Sequence, residues 1–339
     1  MNRTPPPTAT SPWALVLAGG SGLRLSRWTT DRDGTPVPKQ FCVFAGRTLL
    51  AAALERAGTL ALRKRTLAVV TAEQRRFWGP DLAPVLPDVN IAIQPCNRGT
   101  AAGILFPLLR ILRRDPAAAL LILPSDHFVH DEARLAAELG RAIALARQDG
   151  GRILLLGVAP DRVEDGLGWI TPRGKGDVER IQAFVEKPAA DQARAALAAG
   201  ALVNSFLIAA DGRTLLDLFR RTVPELVAEL DAMETGASPI AGYERLPVYD
   251  FSRDVIEPSV DDARLMVLRI PSCGWSDLGT PERLQAASGQ LAEAGRRPAA
   301  FCGARERPDL GTLFTRPART PEPRRILPPA GRIEVSLAH

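Results

Sequence analysis

Short apolar runs alternate with helical patterns along the first half of the chain, and this alternation limits the fold more than any other feature. The runs predict strands at residues 13–18, 66–71, 90–93, 118–123 and 152–158. Helical patterns lie between them, at residues 48–57, from residue 73 onward, at 100–113 and at 133–147. This order is typical of a parallel sheet with helices on both faces. We therefore predict an α/β fold built on a mostly parallel, doubly wound sheet.

The second half of the chain has looser spacing. Strands are predicted at residues 169–171, 178–186 and 201–209, with a helix at 189–199. We interpret these as a mixed extension of the sheet that closes over a ligand. The predicted organisation is an irregular N-terminus at 1–12, one domain at 13–289 with halves 13–158 and 159–289, and a Pro/Arg-rich tail at 290–339.

No segment resembles a secretory signal or a membrane span. Residues 1–12 lack the charged and then apolar pattern of a signal peptide. The longest apolar run, at 117–123, is far shorter than the ~20 residues needed to cross a bilayer. The four cysteines, at positions 42, 96, 273 and 302, form no close pair. We predict a cytoplasmic protein with no membrane partner, no zinc site and no disulfide framework.

The formal charge of +5 does not indicate a nucleic-acid-binding surface, because it is concentrated near the C-terminus. Residues 290–339 contain nine arginines against five acidic residues, which leaves the preceding chain nearly neutral. We therefore predict no nucleic-acid partner. The Arg-rich tail is the one segment where such binding would be sought. The sequence does not set the oligomeric state, and a homodimer is the assembly we consider.

Lysine is scarce among the 43 basic residues, and the only four are Lys39, Lys64, Lys175 and Lys187. A chain that uses arginine almost everywhere can keep a lysine where a compact point charge is required. Lys39 and Lys187 both lie in motifs that carry chemistry.

A glycine-rich loop follows the first predicted strand, as Leu17-Ala18-Gly19-Gly20-Ser21-Gly22. Glycines let backbone amides approach phosphate oxygens closely. The dinucleotide fingerprint requires a third glycine where this chain has Leu25, and a Walker loop requires a Gly-Lys-Ser/Thr that the chain lacks. A turn without a ligand is the alternative for the loop taken alone.

Further polar motifs follow later strands, where parallel sheets bind their ligands. Gln94-Pro95-Cys96-Asn97-Arg98-Gly99-Thr100 opens a helix, whose N-terminus attracts anions unless Asn97 only caps it. Asp126 ends the strand at 118–123 and is placed to hold Mg²⁺ beside phosphates. In Phe184-Val185-Glu186-Lys187-Pro188, Glu186 suits sugar hydroxyls and Lys187 a sugar phosphate. An exposed ion pair is the alternative for that pair.

These motifs, in this order, resemble the sugar-1-phosphate nucleotidyltransferases. The resemblance rests on the glycine loop closed by Arg24, Pro38-Lys39-Gln40-Phe41, Leu123-Pro124-Ser125-Asp126-His127, the Glu186-Lys187 motif, and Gly274-Trp275-Ser276-Asp277-Leu278-Gly279. The Pro-Lys-Gln-Phe form most resembles mannose-1-phosphate guanylyltransferases. Departures occur at Leu23, at Trp169, and in the order Asn97-Arg98-Gly99-Thr100.

The resemblance implies a Rossmann-like nucleotide-diphospho-sugar transferase fold, with residues 13–158 binding nucleotide and 159–289 binding sugar. It implies Arg24, Lys39, Asp126 and Asp277 as catalytic residues, with the two aspartates as Mg²⁺ ligands. The implied nucleotide site is Leu17, Ala18, Gly19, Gly20, Ser21, Gly22, Gln94, Asn97, Arg98 and Thr100. The implied sugar-phosphate site is Gly168, Glu186, Lys187 and Asn204.

The implied reaction joins a nucleoside triphosphate, with GTP favoured, to a sugar 1-phosphate, with mannose 1-phosphate favoured, and releases pyrophosphate. Other base and sugar specificities stay open. A catalytically silent sugar-nucleotide-binding protein is a further alternative, although such a protein needs no second acidic residue like Asp277 beside Asp126. An oxidoreductase is disfavoured by the missing third glycine.

Overall fold

One large mixed sheet organises the protein. The computed structural model describes residues 11–22, 29–30, 33–148 and 150–293. Strands in the described residues are β1 Trp13–Leu17, β2 Val43–Phe44, β3 Arg47–Thr48, β4 Thr66–Thr71, β5 Ile91–Gln94, β6 Ala119–Pro124, β7 Ile153–Val158, β8 Trp169–Pro172, β9 Val178–Val185, β10 Leu202–Asp211 and β11 Leu265–Ile270. Within the described chain, nine of them form the main sheet in the order β5-β4-β1-β6-β10-β7-β11-β9-β8.

The main sheet is mixed, so the prediction of a mostly parallel sheet was wrong: within the described residues four of its strand pairings are parallel and five are antiparallel. Strand β10 is also not part of a peripheral extension. Strands β5, β4, β1 and β6 run parallel, whereas β10 lies antiparallel between β6 and β7. The prediction that residues 201–209 extend the sheet was therefore wrong in position. An apolar run indicates burial but carries no information on which neighbour it pairs with or in which direction.

The far end of the sheet closes on itself. Strand β8 pairs with β9 and also with β10, where Leu202 faces Ile170. Because β9 pairs with β11 and β11 with β7, the strands from β10 to β8 form a barrel-like ring. The closure brings the start of β8 and the end of β9 next to the start of β10.

Helices cover both faces of the sheet. In the described residues they are α1 Leu49–Gly58, α2 Arg75–Leu82, α3 Gly99–Arg114, α4 Glu132–Ala146, α5 Ala190–Ala198, α6 Gly212–Thr222, α7 Pro224–Glu234 and α8 Pro281–Glu293. Alternate side chains of β6 enter opposite cores. Leu121 and Leu123 pack with α1, α2 and α4, whereas Leu120 and Ile122 pack with α3, α6 and α7. This period of two is what a doubly covered strand requires.

The fold brings the strand ends of interest to one edge. Strands β1, β5 and β6 are parallel, so Leu17, Gln94 and Pro124 end at the same side of the sheet. Register places Leu17 directly beside Pro124. The glycine loop and Asp126 therefore start from adjacent strands. Within the described residues, no helix is long and apolar enough to span a membrane.

We expect Leu121→Ala to lower the free energy of unfolding by roughly 2–5 kcal/mol, because it leaves a cavity in the core between the sheet and helices α1, α2 and α4. Leu121 is fully buried and lies opposite Ala14 and Ala209 in the sheet. Chemical denaturation measures the loss. Leu62→Ala is the matched control, since Leu62 is 53% exposed and should change stability by less than about 0.5 kcal/mol. Equal losses in both variants would contradict this description of the core.

Candidate active site

The glycine loop is held in shape by two glutamines. Gln40 Nε2 donates to the carbonyl of Gly20 at 2.8 Å and to that of Ala18 at 3.3 Å. Gln74 Nε2 donates to the same Gly20 carbonyl at 3.0 Å. With its carbonyls engaged on the protein side, the loop is fixed before any ligand arrives. Such preorganisation is what a phosphate-binding backbone needs.

Two loop positions have no room for a side chain. Gly22 has φ +62°, and a Cβ there would lie 2.5 Å from the backbone nitrogen of Lys39. A Cβ on Gly19 would lie 2.6 Å from Nε2 of Gln94. The glycines therefore serve close packing of the loop against its supports, as well as access for a ligand.

Gln94 lies beneath the loop, with 2% of its surface exposed. Its Oε1 accepts a hydrogen bond from the Tyr243 hydroxyl at 2.7 Å. Burial raises the pKa of Tyr243, so the phenol remains a neutral donor. Gln94 therefore packs against Gly19 of the loop, and its contact with the nucleotide stays a prediction.

Lys39 connects the two candidate metal-binding segments. Its Nζ lies 2.7 Å from Oδ2 of Asp126 and donates to the backbone carbonyl of Asp277 at 2.5 Å. The Lys39 side chain is 5% exposed, whereas that of Asp126 is 32% exposed. The ammonium thus lies under the carboxylate, which faces the cleft.

His127 steadies the other oxygen of Asp126. Its Nε2 is 3.4 Å from Asp126 Oδ1, and its Nδ1 accepts from the indole NH of Trp275 at 3.3 Å. Burial lowers the pKa of His127 to about 4. The ring is therefore neutral near pH 7, with Nδ1 as acceptor and Nε2–H as donor. It orients Asp126 without adding charge.

Asp277 is 2% exposed, and only one of its two carboxylate oxygens has a hydrogen-bond partner in the described part of the chain. Its Oδ1 is paired with Arg283 and accepts from the amide of Gly279 at 3.2 Å. Within the described part of the chain, Oδ2 is buried and has no hydrogen-bond partner. A buried carboxylate oxygen without a partner is costly unless a cation takes that position.

The donor set fits a hard cation such as Mg²⁺. Among the described residues, no three His, Cys, Asp or Glu side chains form a metal-binding cluster. Asp126 and Asp277 are the two carboxylates on the segments that Lys39 joins. Mg²⁺ is commonly bound by one or two carboxylates, completed by substrate phosphates and water.

The predicted sugar-side residues lie together at the closed end of the sheet. The amide of Asn204 donates to the Gly168 carbonyl at 2.8 Å. A Cβ on Gly168 would lie 2.7 Å from Oε2 of Glu186. Glu186 is paired with Lys187 at 2.7 Å, and Lys187 adopts φ +50°. Phe206, at φ +59° in the irregular part of β10, lies beside them. Strained backbone of this kind collects at functional sites.

The N-terminus of α3 is partly occupied by the protein itself. Asn97 Oδ1 accepts from the amide of Gly99 at 2.8 Å, and the carbonyl of Tyr249 accepts from Ala101 at 3.2 Å. The hydroxyl of Thr100 accepts from the amide of Phe251 at 2.7 Å. Asn97 thus forms a local turn with Gly99, but the alternative in which Asn97 is the cap residue is wrong, because Arg98 is the N-cap of α3 and no side chain caps it. Fewer amides are therefore free for an anion than the motif indicated.

One cleft collects most of the predicted residues. It is lined by Leu17, Gly20, Gly22, Thr100, Asp126, Gly168, Glu186, Lys187, Asn204 and Asp277. Seven others do not line it: Ala18, Gly19, Ser21, Lys39, Gln94, Asn97 and Arg98. Lys39 is linked to the cleft only indirectly, by its ion pair with Asp126. Arg24 lies outside the described residues.

The cleft also contains residues that sequence reasoning left unassigned. Among them are Gln40, Phe206, Asp250, Ser252 and Trp275. Gln40 and Trp275 lie inside motifs that carried the resemblance, so the sequence could have identified them as residues of the cleft. Asp250 and Ser252 are brought in by the segment that covers the start of α3, whose sequence resembles a family motif only loosely and received no assignment.

Comparison with known proteins places the chain in a family. The Nucleotidyl transferase family model matches residues 13–294. The chain is 30% identical over 274 residues to the xanthan biosynthesis protein XanB of Xanthomonas campestris pv. campestris strain B100, covering 78% of this chain and 57% of that protein. It is 30% identical over 295 residues to mannose-1-phosphate guanylyltransferase 2 of Escherichia coli O157:H7, covering 80% and 58%.

A solved structure agrees with these matches. The crystal structure described as mannose-1-phosphate geranyltransferase from Thermus thermophilus superposes with a TM-score of 0.70 at 30% identity, covering 82% of this chain and 79% of that one. The protein belongs to the nucleotidyl transferase family. It spans somewhat more than half the length of the curated relatives named here.

The low pKa of His127 predicts acid sensitivity. The unfolded chain takes up a proton near the ordinary histidine pKa of ~6.5, whereas the folded chain resists protonation down to about pH 4. The free energy of unfolding is therefore highest above about pH 6.5, where His127 is neutral in both states. It decreases as the pH falls toward 4, because only the unfolded chain then gains a proton. Between pH 7.5 and 5, this loss should be roughly 2 kcal/mol.

Denaturation of wild type and His127→Gln at both pH values measures this contribution. The variant should lose less stability on acidification, because glutamine does not titrate. His130→Gln, at an exposed histidine, should keep the wild-type pH dependence. An identical pH dependence in wild type and His127→Gln would contradict the assignment.

Proposed function

We propose that the protein transfers a nucleotidyl group from a nucleoside triphosphate to a sugar 1-phosphate, giving a nucleotide-sugar and pyrophosphate. One observation carries the proposal: the Lys39 ammonium joins the Asp126 carboxylate to the Asp277 segment beside a braced glycine loop. Cationic, anionic and amide groups that converge in this way suit the binding and charge neutralisation of phosphates.

The chemistry is a single displacement. An oxygen of the sugar phosphate attacks the α-phosphorus, a new P–O bond forms, and the bond to the β-phosphate bridging oxygen breaks with its electrons leaving on pyrophosphate. Such transfer depends on positioning and charge neutralisation and needs little covalent work from the protein. The glycine loop and Arg24 would bind the triphosphate, Lys39 would neutralise the reacting phosphates, and Lys187 would hold the sugar phosphate.

Asp126 and Asp277 would hold a divalent cation, for which Mg²⁺ is our choice. When bound, the ion supplies positive charge to the reacting phosphates. The half-satisfied carboxylate of Asp277 supports this role, because its free oxygen is buried beside the cleft. His127 and Trp275 would keep Asp126 aimed at the same space.

The substrates we favour are GTP and mannose 1-phosphate. Mannose 1-phosphate appears in the names of both the E. coli relative and the Thermus structure, whereas those names give guanylyl and geranyl as the transferred group. A glycine loop shaped for phosphates, together with family membership, supports the nucleotidyl group. Glu186, Asn204 and the Gly168 backbone are the polar groups available to sugar hydroxyls.

Pyrophosphate release from a panel of triphosphates and sugar 1-phosphates with Mg²⁺ tests the proposal. We expect Asp126→Asn and Asp277→Asn each to lower turnover by at least about 100-fold, because charge stabilisation is lost. Asp261→Asn is the matched control, since its side chain is 94% exposed. No release with any pair, or full activity in folded Asp126→Asn, would refute the proposal.

Lys39→Arg should also be damaging although the charge is retained. Arginine places a planar fork where a buried ammonium meets two oxygens at 2.7 and 2.5 Å. A displacement of about 1 Å at such a site can cost on the order of 100-fold in rate. Lys64→Arg, at an exposed lysine, controls for the substitution. Wild-type kinetics in Lys39→Arg would show that a compact charge is not required.

A further inference from the structure

We infer that Arg283 is a positioning residue that couples the orientation of Asp277 to the sugar-side loop, defined as residues 159–168. The inference rests on the proposed function of Asp277 as a cation ligand. Arg283 does not line the substrate cleft, so any effect it has must pass through the groups that it touches.

The first contact of Arg283 fixes which oxygen of Asp277 is free. Its Nη1 pairs with Oδ1 of Asp277, and the Gly279 amide donates to the same oxygen. Oδ2 is thereby left as the oxygen available to a cation. A rotation of the carboxylate would break both contacts. The arrangement therefore leaves one defined oxygen of Asp277 for a cation.

The second contact reaches the sugar-side loop. Nη2 of Arg283 pairs with Oε2 of Glu164. Glu164 is itself anchored, because its Oε1 accepts from Arg162 Nε at 3.0 Å and its carbonyl accepts from the Trp169 indole at 2.5 Å. Only a forked cation can engage two carboxylates in this way.

The loop held by Glu164 leads directly into the cleft. Gly166, Leu167 and Gly168 line the cleft, and Gly168 contacts the proposed sugar-binding residues Glu186 and Asn204. If a bound sugar phosphate displaces this loop, Glu164 would move with it. Because Arg283 contacts both carboxylates, that movement would change the orientation of Asp277.

Packing holds Arg283 where this coupling requires it. Arg283 is 8% exposed and lies in the first turn of α8, next to the fully buried Leu284. Burial alone would lower the pKa of Arg283, but Asp277 and Glu164 outweigh that effect and raise it. The guanidinium is therefore a permanent cation. Buried ion networks of this kind contribute more to defined geometry than to net stability.

Mn²⁺ binding to the full chain without substrates, followed by electron paramagnetic resonance, tests the role in orientation. Removing the charge in Arg283→Met would by itself strengthen the attraction of Asp277 for a cation. We expect the opposite, a 10–100-fold weaker Mn²⁺ affinity, typical for loss of a group that orients a ligand. Arg283→Lys should also bind weakly, because its charge is kept but its fork is lost.

The coupling to the loop is tested by the KM for the sugar 1-phosphate. We expect Glu164→Gln to raise this KM by about 5-fold or more, and the double variant with Arg283→Met to add little, since both act through one network. Arg110→Met is the matched control. Arg110 pairs with Glu234 away from the cleft, and its loss should change neither Mn²⁺ affinity nor KM.

Unchanged or tighter Mn²⁺ binding in folded Arg283 variants would overturn this inference while leaving the proposed function intact. Absence of Mn²⁺ binding in wild type, or wild-type binding in Asp277→Asn, would overturn both this inference and the role of Asp277 as a cation ligand. If Arg283→Met does not fold, Arg283→Lys and Glu164→Gln carry the test. Circular dichroism checks the fold in each case. Additive effects of Glu164→Gln and Arg283→Met on KM would refute the coupling.

Discussion

A buried lysine ammonium between two acidic segments is the interaction on which the rest of the site depends. Lys39, Asp126 and Asp277 are far apart in the chain, yet Nζ of Lys39 contacts both of the other segments. Removing one partner from such a buried contact leaves an uncompensated charge and is strongly destabilising. The contact therefore fixes the relative positions of the glycine loop, the end of β6 and the segment before α8. These are the parts that must be in register to handle a triphosphate.

The sheet explains why these segments can meet. Parallel β1 and β6 end side by side, so the glycine loop and Asp126 emerge from neighbouring positions. The ring formed by β10, β7, β11, β9 and β8 then places Gly168, Glu186 and Asn204 across from them. One edge of a mixed sheet thus supplies both sides of the proposed site, one for phosphates and one for a sugar. The ends of parallel strands are where α/β sheets generally bind ligands.

The sequence predicted the parts of this arrangement that depend on local pattern. The strand at 66–71 is present with the same bounds, and the helix predicted at 100–113 is present as Gly99–Arg114. The insertion of β10, the strand β11 and the helices α6 and α7 were not predicted, because pairing and direction are decided by tertiary packing. The same holds for Arg283 and Glu164, whose importance appears only when residues 119 positions apart meet. The engagement of Gln94 Oε1 by Tyr243 was not predicted either, because a motif does not show which way a side chain points.

A crystal of the protein grown with Mn²⁺ and a non-hydrolysable analogue of GTP would test the central claim most directly, through the anomalous signal of the metal. The account predicts a single strong peak between the carboxylates of Asp126 and Asp277, with Asp277 Oδ2 as a ligand. A peak elsewhere, or bound nucleotide with no metal between the carboxylates, would contradict it.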